Sequence, residues 1–299
     1  MPQTLGFDCK RSVEMSFFRL LPISSAILLS LAACENPKLH QAPLANQQGH
    51  MKEIISLSRA ATTQVSSLVG NSKGTGFLIG RKHVVTCFHV IARLAQNGAQ
   101  IHWDIFQDIR VKLSTGEEIP GRVVSIPTQQ SPEPLYSDFA IIELQQEIPA
   151  QLSSSILEVA SPAFEVGDEV YFSGYPLATP AMVTHKGMIS GFDAQTSIIC
   201  LQGSINKGNS GGALCAMDGR VIGVVSMREG GIAVGLRDLN TYIESTSQHG
   251  RVAIMGVDPL QAIRAITQTL DTYISTGIGY AHSATALKAY LDGHPEMKK

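Results

Sequence analysis

The sequence predicts an all-β domain of sandwich or barrel architecture, on three observations. Short β-branched and apolar runs recur between clusters of Gly, Pro, Asn and Asp, and only two segments carry helical spacing. A chain of 299 residues with 44% apolar and 16% charged residues can also bury a full core. The formal charge of −2 and the absence of any Lys/Arg-rich run exclude the footprint of a nucleic-acid-binding surface, which needs cations clustered against phosphates.

At the N-terminus, Arg11 or Arg19 precedes an apolar run from Leu20 to Ala33 that ends in Leu31-Ala32-Ala33-Cys34. The run is shorter than the about 20 residues that a membrane span requires. Leu-Ala-Ala-Cys resembles the bacterial lipobox, which implies a lipoprotein signal peptide over 1–33 and acylation of Cys34, with palmitate as a typical chain. An ordinary cleaved signal that leaves Cys34 free is the other reading, and both export the protein. Translation from Met15 instead of Met1 would still leave a sufficient basic leader.

Export implies an oxidising compartment, where Cys87, Cys200 and Cys215 can form one disulfide and leave one thiol over. Cys200 and Cys215 flank the Gly-rich loop around Ser210 on two strand-like runs and are the expected pair if those runs lie side by side; unpaired buried thiols are the alternative.

From Cys34 to about 50 the chain is polar, with Pro37 and Pro43, and reads as a flexible tether ahead of the folded region. Strands are then expected at Val65 to Val69, Gly76 to Ile79, Val84 to Thr86, Ile109 to Leu113, Arg122 to Ile126 and Phe139 to Leu144. A second series covers Glu169 to Phe172, Val183 to Ser190, Ser197 to Leu201, Ala213 to Ala216 and Arg220 to Ser226. Asp258-Pro259 opens a helix with apolar residues at Leu260, Ile263, Ile266, Leu270 and Tyr273, Asp serving as N-cap and Pro as first helical residue. A short terminal helix runs from Ser283 to Gly293, with glycine where a C-cap belongs.

Three motifs carry chemistry. Gly208-Asn209-Ser210-Gly211-Gly212 can present a serine nucleophile on a tight turn whose backbone N–H groups, those of Gly208 and Ser210, face a developing oxyanion. His89 follows the apolar strand Val84 to Thr86, and Asp138 directly precedes the strand from Phe139. Alone, each has a bland reading: a surface turn, a satisfied structural histidine, a strand-entry turn. Together, in the order His, Asp, Ser, they match the chain order of the chymotrypsin arrangement and not that of subtilisin or the α/β-hydrolases.

Thr-x-x-His-Val, Ser-Asp-Phe-Ala and Ile-Asn-Lys-Gly-Asn-Ser-Gly-Gly resemble the high-temperature-requirement branch of the trypsin-like serine proteases. Gly174-Tyr175-Pro176, Val183-Thr184, Asp218-Gly219 with Val221 to Val224, and Gly277 to Ala281 follow in that family's order, so the similarity covers about Thr62 to Gly293. The resemblance implies two six-stranded antiparallel β-barrels, about 60–146 and 160–292 within a domain of 51–294, with a short C-terminal helix and a helical insertion at about 229–276. The insertion would serve as a lid, an exosite or a partner surface. Lys207 departs from the family, which commonly has proline there, and puts a charge and an extra N–H at the mouth of the site. The PDZ domain of many relatives is not expected after Gly293.

The resemblance further implies that Ser210 attacks a peptide carbonyl, His89 relays the proton, and Asp138 orients the ring. Ser204 stands where trypsin-type enzymes carry an aspartate that binds basic side chains. Ser204, Ile205, Ser226, Met227, Arg228, Ile278 and Tyr280 are the expected pocket, favouring a small or medium apolar residue. Neither metal nor cofactor is called for: His102 and His185 lack spaced partners, and Cys87, two residues before His89, reads as packing. The expected partners are protein or peptide substrates and, through the lipid anchor, a membrane of the bacterial envelope facing the periplasm. A latent protease awaiting a partner and a protease-fold binding scaffold are the competing readings.

Overall fold

The computed structural model describes residues 44–298 except 98–99, 126–137, 162, 178, 227–230, 248–249, 251–252 and 274–276. Cys34, Met227 and Arg228 therefore lie outside the described residues. Helix α1 (Leu44–Ala61) leads directly into β1 (Thr62–Ser67), followed by β2 (Ser72–Leu78) and β3 (His83–Thr86). After a single helical turn, α2 (Phe88–Ile91), come a hairpin of β4 (Ala92–Asn97) and β5 (Gln100–Ile105), then β6 (Arg110–Lys112), β7 (Glu118–Ser125) and β8 (Ala140–Leu144). The strands β1-β2-β3-β8-β7-β6 close into one antiparallel barrel.

The second barrel closes in the order β10-β11-β14-β13-β12-β9. Its strands are β9 (Glu169–Gly174), β10 (Val183–Asp193), β11 (Ile198–Gln202), β12 (Ala213–Ala216), β13 (Val221–Val225) and β14 (Ile278–Ser283). Closure satisfies every edge that an open six-stranded sheet would leave exposed. Between β13 and β14 lie α3 (Gly231–Ser247) and α4 (Pro259–Tyr273), joined by an Arg264–Glu244 ion pair and a Thr267–Asn240 hydrogen bond of 2.7 Å. Helix α5 (Thr285–Gly293) follows β14. Two six-stranded antiparallel barrels with few helices is the trypsin-like architecture.

Each barrel is filled by its inward-facing side chains. Val65, Phe77, Val84, Ile119 and Ile141 are buried in the first; Val170, Phe172, Ile189, Ile199, Leu201 and Val225 form the second core. Ile54 of α1 and Leu287 and Leu291 of α5 are buried with the first cluster.

Several elements depart from the expected ones. The strand expected at Val65 to Val69 ends at Ser67 because Asp108 captures the next two amides: Leu68 N–H and Val69 N–H donate to Oδ2 at 2.8 and 2.9 Å. Leu68 and Val69 are thereby left exposed in a turn. Helix α1 begins inside the polar stretch read as a tether, and its Arg59 donates to Thr184 Oγ1 at 2.7 Å. The β4–β5 hairpin and α3 are not among the expected elements, although Ile101, Trp103 and Ile105 alternate along β5 and Ile232, Leu236, Leu239 and Ile243 recur at helical spacing along α3. The proposed Cys200–Cys215 bridge is not formed: Cys87, Cys200 and Cys215 are free thiols. Cys200 sits on β11 and Cys215 on β12, and β14 and β13 lie between those strands in the barrel, so the two runs are not neighbours.

Candidate active site

Strand pairing alone explains how His89 and Asp138 meet. The antiparallel register sets Thr86, the last residue of β3, opposite Ala140, the first of β8. The chain leaving β3 and the chain entering β8 therefore emerge at the same barrel end. The turn α2 then brings His89 round, with Val90 N–H donating to Cys87 O at 3.1 Å.

Asp138 is 4% exposed and accepts three hydrogen bonds: from the His89 backbone N–H at 3.1 Å, from His89 Nδ1 at 2.6 Å and from Ser226 Oγ at 2.8 Å. A carboxylate only accepts, so the proton sits on Nδ1 and Nε2 is left as the basic nitrogen. Burial would raise the Asp138 carboxyl, but the His89 charge and these hydrogen bonds outweigh it and hold the group well below the usual carboxylate range. For His89, burial disfavours the imidazolium, and the Asp138 carboxylate more than offsets this, so its pKa is raised.

The Ser210 turn is clamped from several sides. Within it, Asn209 N–H donates to Asn206 O and Gly212 N–H to Asn209 O, both at 3.0 Å. From the first barrel, Thr75 N–H donates to Ser210 O at 2.8 Å and Thr75 Oγ1 donates to Gly208 O at 2.6 Å, while Thr75 Oγ1 accepts from Tyr175 N–H at 3.0 Å. Gly211 N–H donates to Val225 O at 2.7 Å. Gly208 and Gly211 adopt φ values of 97° and 91°, a region that glycine enters without strain.

The Lys207 departure is resolved by a neighbour. Leu177 N–H donates to Lys207 O at 2.8 Å. In a trans peptide the carbonyl and the following N–H point in opposite directions, so the Gly208 N–H faces away from Leu177. His89, Gly208 and Ser210 border one cavity of about 350 Å³, which Lys207 and Leu177 also line. The site therefore unites a carboxylate-oriented imidazole, a serine on a glycine turn and a fixed backbone N–H, the parts that nucleophilic acyl transfer requires.

Cys87 is fully buried and its thiol donates to Val225 O at 3.2 Å. Burial, with the Asp138 charge in support, pushes it well above the ordinary thiol value, so it stays protonated and is a poor nucleophile. Ligand atoms of Cys87, His89 and Asp138 lie within 4.8 Å of one another, but the thiol is engaged with Val225 and Nδ1 with Asp138.

The described residues of the expected pocket lie near one another, at the adjoining ends of β13 and β14 and the segment before the Ser210 turn. Ser204 and Ile278 are exposed and Tyr280 is half-buried, its carbonyl accepting from Ser226 N–H at 2.9 Å. Ile205 turns into the second-barrel core and packs on the Gly279 backbone, where an added Cβ would sit 2.2 Å from its Cδ1. Ser226 spends its hydroxyl on Asp138 instead of a substrate. Sequence reasoning did not single out Thr75 or Leu177; Thr75, in the Gly74-Thr75-Gly76 run, is the one that sequence could have flagged.

The profile of the trypsin-like peptidase domain matches residues 74–224, half of the chain, and the chain belongs to that family. Among curated relatives it is 31% identical over 208 residues to a putative protease Do-like 14 of Arabidopsis thaliana, covering 62% of this chain and 43% of that one. It is 29% identical over 207 residues to the periplasmic serine endoprotease DegP of Escherichia coli, covering 62% of this chain and 39% of that one. The chain spans about half the length of these curated relatives, or less. The crystal structure of a serine endoprotease from Yersinia pestis shares the fold, with a TM-score of 0.50, 18% identity, and coverage of 83% of this chain and 66% of that one.

Proposed function

We propose that this protein is a serine endopeptidase that cleaves exported proteins through an acyl-enzyme, with Ser210 as nucleophile, His89 as general base and acid, and Asp138 as the group that orients His89. The observation that carries this reading is the 2.6 Å His89–Asp138 contact at the wall of a cavity that Ser210 shares. In the forward step the Ser210 oxygen bonds to the scissile carbonyl carbon as His89 Nε2 takes the hydroxyl proton. The proton then passes to the leaving amine, and water repeats the sequence to release the acid. The N–H groups of Gly208 and Ser210 hold the oxyanion. The bond from Leu177 to Lys207 supports a hole already formed without a partner, which favours direct activity over latency. Cys34, acylated after removal of 1–33, would hold the domain at an envelope membrane.

A fluorophosphonate probe that labels only activated serines tests this. The expected result is labelling of the protein and none of a folded Ser210→Ala variant; a folded protein that resists labelling overturns it. Palmitate incorporation that a Cys34→Ser variant loses would support the anchor.

A further inference from the structure

The cavity beside Ser210 carries a charge bias that general peptide hydrolysis does not require. Lys73, Arg93 and Lys207 contribute to its wall, and among the described residues no Asp or Glu lines it. The chain as a whole is slightly acidic, with a formal charge of −2, so this clustering does not follow from composition. Arg93 is paired with Asp104 at 3.2 Å, but both side chains are about half exposed, and an ion pair so hydrated exchanges partners readily. Phe106 and Val90, both buried, supply the apolar part of the lining.

Its position relative to the scissile bond follows from chemistry. His89 must hand its proton to the leaving amine, so the substrate segment after the cleaved bond has to run past His89. The cavity occupies that side: it is bounded by the β1–β2 turn and by residues directly after His89, and it includes none of Ser204, Ile205, Ser226, Ile278 or Tyr280.

We propose that this cavity is a specificity subsite for acidic side chains in the two or three residues that follow the scissile bond, read by Lys73 and Lys207 with Arg93 in support. The proposal rests on the peptidase reading for its orientation, but not for its charge preference. A carboxylate entering a site edged by three cations meets their summed attraction, which is strongest at low ionic strength because Lys73 and Arg93 are solvent-exposed and Lys207 is only half-buried. The same cations repel Lys or Arg at those positions, so discrimination comes from both signs.

Three peptides test it, identical through a small apolar residue before the cleavage point and carrying Glu-Glu, Gln-Gln or Lys-Lys as the second and third residues after it. Binding to the Ser210→Ala variant by fluorescence anisotropy and cleavage by the native protein are both read. Affinity should fall from Glu to Gln to Lys, by about fivefold or more per step at 50 mM salt, with the spread collapsing near 1 M, where the screening length is about 3 Å. A Lys73→Glu variant should narrow or invert the order. Equal binding of the three peptides, or tighter binding of the Lys peptide, overturns the proposal. A Glu preference in binding by a protein that neither cleaves nor labels with fluorophosphonate keeps the subsite and overturns the peptidase reading instead.

Discussion

The amide of Leu177 donates to the carbonyl of Lys207 at 2.8 Å, and this one bond sets the direction of the Gly208 N–H. Thr75 Oγ1 holds the other end of the same residue through Gly208 O at 2.6 Å. A rigid donor gains its catalytic value from being aimed before charge develops, so both contacts matter more than their distance from the reacting atoms suggests.

Thr75→Val keeps the shape of the side chain and removes its hydroxyl. Gly208 O loses its donor and Tyr175 N–H its acceptor, which leaves a buried carbonyl unpaired at about 1–3 kcal/mol and a part-buried N–H unpaired at less. The expected outcome is a fall in kcat of about 10- to 1000-fold, with KM changed much less, since the loss falls on the oxyanion. Steady-state kinetics with fluorophosphonate labelling rates checks it; unchanged kcat in a folded variant contradicts the role given to Thr75.

The His89–Asp138 pair makes pH dependence calculable in sign. Because His89 titrates above its ordinary value, the acid limb of kcat/KM should lie above about pH 6.5, the usual imidazole midpoint. Asp138→Asn should lower that limb and cost about 10⁴-fold in turnover, because the amide no longer fixes the tautomer. Stability follows the same signs. The raised His89 contributes stability in full below the ordinary imidazole value and loses it as pH rises through the folded one; the depressed Asp138 contributes above the ordinary carboxylate value and loses it as pH falls through its own. The pair is therefore most stabilising between about pH 4 and 6.5, and Asp138→Asn should destabilise more at pH 5 than at pH 8 in urea unfolding.

The barrels were legible because their strands are short apolar runs punctuated by turn residues, and the triad because three motifs of low individual value occur in one order. What escaped was carried by tertiary contacts. Asp108 cuts β1 short from 40 residues away, and nothing near Val69 announces it. Helix α1 has few large apolar residues, and among its described side chains Ile54 and Ala61 are the buried apolar ones, too sparse a stripe to separate from a polar linker. Family resemblance placed Ile205 and Ser226 at the substrate pocket; the fold packs Ile205 into the core and commits the Ser226 hydroxyl to Asp138, contacts that no local pattern announces. The disulfide failed for a topological reason: adjacency of runs in sequence is not adjacency in a barrel whose order inserts β14 and β13 between them.

The thiols give a direct chemical check. Cys200 is half-buried, while burial pushes the Cys215 thiol up to about 12 and raises Cys87 well beyond its usual value. An alkylating reagent at neutral pH should modify Cys200 first, and Cys87 and Cys215 only on unfolding, with no reductant needed for either. Mass spectrometry that finds Cys200 and Cys215 protected in denaturant until a reductant is added would restore the bridge.

Two glycines with the same backbone angle separate strain from close approach. Gly116 and Gly211 both have φ of 91°. A Cβ on Gly116 would meet nothing within 4 Å, so Gly116→Ala should cost only the left-handed conformation, about 1–2 kcal/mol. A Cβ on Gly211 would lie 2.0 Å from Thr75 O and 2.8 Å from Cys87 N, both backbone atoms that cannot swing aside. The added methyl must push β2 away from the Ser210 turn, and with it the Thr75 hydrogen bonds to Ser210 and Gly208. Gly211→Ala is therefore expected to destabilise by more than about 3 kcal/mol and to abolish labelling even where a folded fraction survives. Equal denaturation midpoints for the two alanine variants would mean that the turn does not rely on the close passage between the barrels.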